Sequence, residues 1–315
     1  MLVYSRREAA ALALGGLIGA NLSCRASGAA QAQDIHKVAP GLFVRVGATE
    51  IASAANKDAI ANIGFVVGRE SVGVIDPGGS LADGLALREA IRVRTSLPIS
   101  HVIVTHIHPD HILGCPAFAG DHPQFIGHAT LPQAIAERGE FYRAGMHDLL
   151  GDDGGAAILS DRTVAADATI DLGGRKLAIQ AHGPAHSRSD LTVMDETTGT
   201  LWAADLLFVN RMPSLDGSVR GWLKELAALK ETKAARVVPG HGPASLPLPD
   251  AAADVQRYLE TLAADVRGVL RRGGDLDDAA QVAAQSERGR WQLFDEYNAH
   301  NIAQAVHELE WENPQ

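Results

Sequence analysis

Cysteine is scarce: the 315-residue chain has two, Cys24 and Cys115. That excludes a disulfide framework and a cysteine-built structural metal site, so stability must come from an apolar core and any bound ion. Cys115 lies four residues past His111. It is close enough to be weighed as a ligand, but reads more simply as a small buried side chain. Basic residues are also short, with 28 Lys and Arg against 38 Asp and Glu, a net charge of −10. A surface of that sign repels phosphate backbones and removes nucleic acid from the expected partners. The apolar stretch at residues 9–22 falls short of a spanning length, so no stable membrane anchor is expected. What remains is ordinary globular composition, 46% hydrophobic and 21% charged, enough for one large domain or one domain plus a tail.

The first residues have the form of an export signal. Ser5-Arg6-Arg7 is a twin-arginine start, the apolar stretch follows, and Ala30-Gln31-Ala32 is a small-x-small cleavage site. Gly15-Gly16 and the missing polar face argue against a cytosolic amphipathic helix, and Asn21 is a poor fit to a lipoprotein site at Cys24. Residues 1–32 are therefore expected to be a twin-arginine-type signal peptide and the mature protein periplasmic. Cleavage removes Arg6, Arg7 and Arg25 against one acid, Glu8, which makes the balance two charges more negative. The twin-arginine route carries folded proteins, which suits one that takes up metal before export.

The densest chemistry is Thr105-His106-Ile107-His108-Pro109-Asp110-His111, directly after the apolar stretch 101–105, which reads as a buried strand. His106 and His108 are two apart, so in extended chain both imidazoles face one way and can grip one ion. Asp110 and His111 follow Pro109, where the chain turns, and can face a second ion. Three more candidate ligands sit at or just after strands, in glycine- and proline-marked contexts. They are His186 in Gly183-Pro184-Ala185-His186, Asp205 at the end of Leu201-Trp202-Ala203-Ala204-Asp205, and His241 in Pro239-Gly240-His241-Gly242. Imidazole and carboxylate donors without thiolates suit zinc in a catalytic site. Asp76, in an Asp-Pro-Gly turn, reads either as a plain turn residue or as one that holds a ligand by hydrogen bonds. Asp190 with Ser187 would brace the loop of His186. Asn210 and Arg211 could form a substrate loop, with Arg211 meeting an anion.

Along the chain, strands are expected at 42–46, 60–67, 73–75, 101–105, 125–126, 169–172, 176–180, 191–194, 201–204 and 236–238. Helices are expected at 81–93, 131–150 and 219–230. Residues 33–249 would form one mixed α/β domain. Residues 250–315 would form a helical extension, broken at Gly273-Gly274, that packs on it.

In order and context these pieces, with Gly73-Val74-Ile75-Asp76-Pro77-Gly78-Gly79, resemble the metallo-β-lactamase superfamily over roughly residues 38–249. The resemblance implies a four-layer αβ/βα sandwich and two zinc ions. His106, His108 and His186 would hold the first and Asp110, His111 and His241 the second, with Asp205 bridging both. It also implies a water between the ions, acidified from about 15.7 towards about 7, with Asp110 orienting the nucleophile and passing its proton on. Aspartate at 205 resembles glyoxalase II-like hydrolases, whereas β-lactamases carry cysteine or serine there. Histidine at 108 is unlike the flavin-partnered di-iron members. The run Asp205–Ser218 with Gly221-Trp222-Leu223, and the ending Phe294-Asp295-Glu296-Tyr297-Asn298 with Glu308-Leu309-Glu310-Trp311, is similar to the quinoprotein relay system zinc metallohydrolases. That similarity implies a link to a periplasmic quinoprotein dehydrogenase or cytochrome c system. The expected function is hydrolysis of a small-molecule ester, thioester or lactone. The rivals are a β-lactamase, a mononuclear iron persulfide dioxygenase and a non-catalytic metal-bearing accessory protein.

Overall fold

The structure, a computed structural model, describes residues 35–248 and 250–312. The expected export segment lies outside the described residues. A seven-stranded sheet opens the fold: β1 (Ile35–Ala39), β2 (Leu42–Arg45), β3 (Ile63–Val67), β4 (Val72–Ile75), β5 (Ile99–Ile103), β6 (Gln124–His128) and β7 (Arg162–Val164), in that spatial order. The first four strands run antiparallel, and β4 to β7 are parallel neighbours. Helices α1 (Leu81–Arg92), α2 (Pro109–Ile112), α3 (Leu131–Ala134) and α4 (Glu140–Leu150) lie in the connections, with a π-helical turn at Ile135–Gly139. A second sheet follows, made of β8 (Asp167–Asp171), β9 (Lys176–Ala181), β10 (Leu191–Asp195), β11 (Thr200–Phe208) and β12 (Arg236–His241), with α5 (Val219–Lys230) between the last two strands. Helices α6 (Ala253–Arg271), α7 (Leu276–Val282) and α8 (Phe294–Leu309) complete the chain. Among the described residues, no helix is long and apolar enough to cross a membrane.

Strand alternation produces the layers. In β11, Leu201 and Ala203 point to one core and Trp202 and Ala204 to another. In β5, Val102 and Ile103 divide the same way. The inward set, including Val44, Ile75, Ile103, Leu177, Val193 and Trp202, fills the space between the sheets. The outward face of the first sheet packs on α1 through Leu87 and Ile91, and that of the second on α5 through Trp222 and Leu226. The result is the four-layer sandwich, with the helical extension sharing the second sheet's outer core through Tyr258, Leu262, Phe294 and Ile302.

The differences from the sequence reading have local causes. Strand β5 stops at Ile103 rather than 105 because the Thr105 amide is taken by a side chain, Asp76 Oδ1 at 2.8 Å. Strand β11 runs on to Phe208 because Leu206, Leu207 and Phe208 are all buried, and the pairing with β12 is irregular around Ala204. Strands β1 and β7 escape a periodicity reading because they are short sheet edges carrying His36, Lys37, Arg162 and Thr163. Cys115 is buried in the core beside α1, and burial pushes its thiol up to about 12. It is expected to resist a thiol reagent in the native protein and to react on denaturation. Rapid native labelling of Cys115 in a mass-spectrometric assay would contradict this packing.

Candidate metal centre

Strand ends deliver the site. Asp76 follows β4, His106 and His108 follow β5, His186 lies between β9 and β10, Asp205 is within β11 and His241 ends β12. Two of these positions need an unusual backbone. Asp76 has φ 56° and Ala204, just before Asp205, has φ 47°. Left-handed backbone at non-glycine residues costs on the order of 1–3 kcal/mol and persists where its surroundings enforce it. Asp76 is enforced by accepting from the Thr105 amide, the Thr105 hydroxyl at 2.9 Å and His111 Nδ1 at 2.9 Å.

Following the protons shows what the five imidazoles can do. His111 Nδ1 faces the Asp76 carboxylate, His108 Nε2 faces Asp216 Oδ2 at 2.6 Å, and His186 Nδ1 faces the Ser214 carbonyl at 2.7 Å. Those partners only accept, so these nitrogens carry the protons. The Thr105 hydroxyl spends its proton on Asp76, so at 3.0 Å it accepts from His106 Nδ1. His241 Nδ1 stands between the Ile60 carbonyl at 2.9 Å, which can only accept, and Arg211 Nη1 at 2.8 Å, which can only donate, so these two contacts favour opposite tautomers of its ring. When their rings are neutral, the inward nitrogens of His106, His108, His111 and His186 are then lone pairs. His186 Nε2 is 2.8 Å from His108 Nδ1 and 3.3 Å from His106 Nε2. Bare lone pairs at that separation repel unless a cation sits among them.

The carboxylates complete the arrangement. Asp205 Oδ1 is 3.0 Å from His111 Nε2, and its Oδ2 is 3.3 Å from both His186 Nε2 and His241 Nε2. Asp110 Oδ2 lies 3.4 Å from His241 Nε2. The donor atoms fall into two groups, His106–His108–His186–Asp205 and Asp110–His111–His241, each within 4.8 Å, and Asp205 touches both. His111 Nε2 and Asp205 Oδ1 are buried and make no hydrogen bond. Orphaned polar atoms of this kind fit divalent cations. The electrostatics divide the imidazoles, because nearby carboxylates raise His108 and His111 while burial lowers His106 and His186. Burial holds His106 well below the usual imidazole range and lowers His186. For Asp205, burial pushes up, but His111, His241, His186 and His106 outweigh it and hold the carboxyl well below its usual range. Burial opposes charge on His111 as well, yet Asp205, Asp110 and Asp76 lift it well above.

The seven candidate ligands thus converge. Asp190 accepts from the Ser187 amide and hydroxyl, closing the turn that carries His186. A cavity of about 240 Å³ opens on the cluster, lined by Asp58, Ile60, Tyr142, Met146, Phe208, Arg211, Met212 and Tyr297 besides the ligands. Arg211 borders it but is only 4% exposed, and its Nη2 donates to Tyr297 Oη at 2.6 Å. Asn210 is exposed in a left-handed turn outside that lining. The sequence reading gave no site role to Asp216, Tyr297 or His300, although Asp216 and Tyr297 stand in the runs similar to the quinoprotein relay system hydrolases. Asp216 sits in a Leu-Asp-Gly run that reads as a turn and lies 108 positions from the histidine it orients.

The model of the metallo-beta-lactamase superfamily matches residues 57–241, more than half of the chain. No curated protein matches. Among solved structures, a metallo-beta-lactamase from Pontibacter korlensis is similar with a TM-score of 0.59 at 18% identity, covering 72% of this chain and 99% of that one. The structure titled TMB-1 is similar with a TM-score of 0.56 at 17% identity, covering 72% of this chain and 97% of its own.

Proposed function

The chain belongs to the metallo-beta-lactamase superfamily, whose members are mostly hydrolytic metalloenzymes, and from that premise we propose that it is an exported two-metal hydrolase of a small-molecule ester, thioester or lactone. The observation that carries the reading is the convergence of five inward-facing imidazoles on two carboxylates. His106, His108 and His186 would hold one ion, Asp110, His111 and His241 the other, and Asp205 would serve both. Two zinc ions would supply Lewis acidity and an acidified water when bound.

The chain's own groups then have separate tasks. Asp110 borders the cavity, and His111 and His241 outweigh its burial and lower its carboxyl, so it is ionised and can accept a proton. Phe208, Met212, Tyr142, Met146 and Ile60 give the cavity a largely apolar lining. The cavity volume suits a small molecule rather than a polymer. Tyr297 Oη uses its acceptor position on Arg211, which leaves its proton to donate to an oxygen in the cavity, where negative charge develops as an acyl carbon is attacked. Tyr297→Phe is expected to lower kcat about 10²-fold with metal content unchanged. Steady-state kinetics with elemental analysis on the same sample check this, and an unaltered kcat removes Tyr297 from the reaction.

Export through residues 1–32 would place the enzyme in the periplasm. There, similarity to the quinoprotein relay system zinc metallohydrolases suggests work beside a quinoprotein dehydrogenase. The test is elemental analysis of protein purified from its own periplasm, then a panel of esters, thioesters, lactones and β-lactams. About two zinc per chain with turnover of an ester-type substrate is the expected result. One iron per chain with oxygen uptake would point instead to a dioxygenase, and ordinary-rate nitrocefin turnover to a β-lactamase.

A further inference from the structure

We propose that α8 is a positioning element of the metal centre, and that its His300 acts through Asp216 on the group formed by His106, His108 and His186. The inference rests on the metal-binding reading above.

The family match ends at residue 241, yet the segment 292–308 grips residues 210–219 along their length. Gln292 donates its amide to Asn210 O at 2.8 Å and accepts from the Met212 amide at 2.9 Å. Asn301 accepts from the Leu215 amide at 2.9 Å and donates to Pro213 O at 2.7 Å. Glu308 accepts from the Ser218 hydroxyl and the Val219 amide, each at 2.7 Å. On its other side the gripped segment faces the ligands. Ser214 O receives His186 Nδ1, and the Asp216 amide donates to His186 O at 2.8 Å.

Asp216 is the hinge of the arrangement, because its two oxygens serve opposite sides. Oδ2 accepts from His108 Nε2 at 2.6 Å and Oδ1 accepts from His300 Nε2 at 2.9 Å. Without His300, the remaining cation near Oδ1 is Arg138, 3.8 Å away on a half-exposed side chain. The carboxylate is then free to turn, and the orientation of His108 goes with it. Partners that orient a ligand in this way are worth about 10–100-fold in metal affinity.

The effect is lopsided. His300 and Asp216 reach the His108 side, whereas His111 is held by Asp76 and His241 meets α8 by a separate route, through Arg211 and Tyr297. Loss of His300 alone should therefore weaken one ion and spare the other.

The test uses the full chain loaded with zinc and a chromophoric chelator that follows release of each ion. In His300→Ala, one of the two ions is expected to leave about 10-fold more readily while the other behaves as in wild type. His300→Gln keeps an N–H donor and should restore much of the difference. Asp216→Asn keeps the shape but not the charge and should loosen the same ion, which provides a second route if His300→Ala folds poorly. The metal-free Tm of His300→Ala should match wild type. Release of both ions unchanged in both His300→Ala and Asp216→Asn overturns the inference alone. So does equal weakening of both ions with a lowered metal-free Tm. A wild-type protein that binds no zinc instead brings down the metal-binding reading beneath it.

Discussion

Replacing Asp205 by alanine is expected to strip the protein of at least one of its ions and to cut turnover by about 10³-fold or more, the loss of several kcal/mol of charge stabilisation. Among the described residues, Asp205 is the carboxylate seen against both donor groups, 3.0 Å from His111 and 3.3 Å from each of His186 and His241. Without it, Asp110 is the one carboxylate left among the candidate ligands, facing five imidazoles. Cations brought together there would repel with less to offset them. Asp205→Asn keeps the shape and one acceptor oxygen but loses the charge, so its metal content should fall between wild type and alanine. Elemental analysis and kcat/KM on one preparation separate the cases. An alanine variant with a full complement of ions and normal turnover would remove Asp205 from the centre.

Much of this convergence is written locally in the chain, and the rest is not. His106, His108, Asp110 and His111 stand within six positions, and a strand delivers them together. His186, Asp205 and His241 lie far away in sequence, but each has a local cue in a strand end or a glycine-marked turn. The sandwich was legible because alternation in segments such as 201–204 is strong, and β1 and β7 were not because short polar edge strands alternate weakly. Groups that orient the ligands were hardest to read. His186 is held by a backbone carbonyl, that of Ser214, which every residue possesses. Asp216 and His300 meet only through the packing of α8 on the second sheet. Arg211 illustrates the limit from the other side. A loop arginine beside a cavity reads as an anion binder, yet three-dimensional packing turns its guanidinium onto Tyr297 and leaves it 4% exposed.

Gly240 offers the second large effect, and it separates two reasons for glycine in one short motif. Gly242 has φ 119°, a conformation that side chains rarely adopt, so its cause is the backbone. Gly240 is free of that constraint. Its cause is space, because a Cβ there would lie 1.8 Å from Asp205 Oδ1 and 2.8 Å from both Ala204 C and Asp205 N. Strand β12 can pass that close to β11 only without a side chain, and the passage sets the carboxylate beside the imidazoles. Gly240→Ala must therefore displace Asp205 or part the strands. Overpacking of this kind costs about 1–3 kcal/mol, a loss of several degrees in Tm. Metal affinity should drop at least about 10-fold as the carboxylate leaves His111 and His241. A double-mutant cycle isolates the cause, because in an Asp205→Ala background the worst clash is already gone. Gly240→Ala should then lower Tm by less than it does in wild type, the residual cost being the two backbone contacts. Equal Tm losses in the two backgrounds would mean that Gly240 is kept for the strand pairing alone and not for the carboxylate.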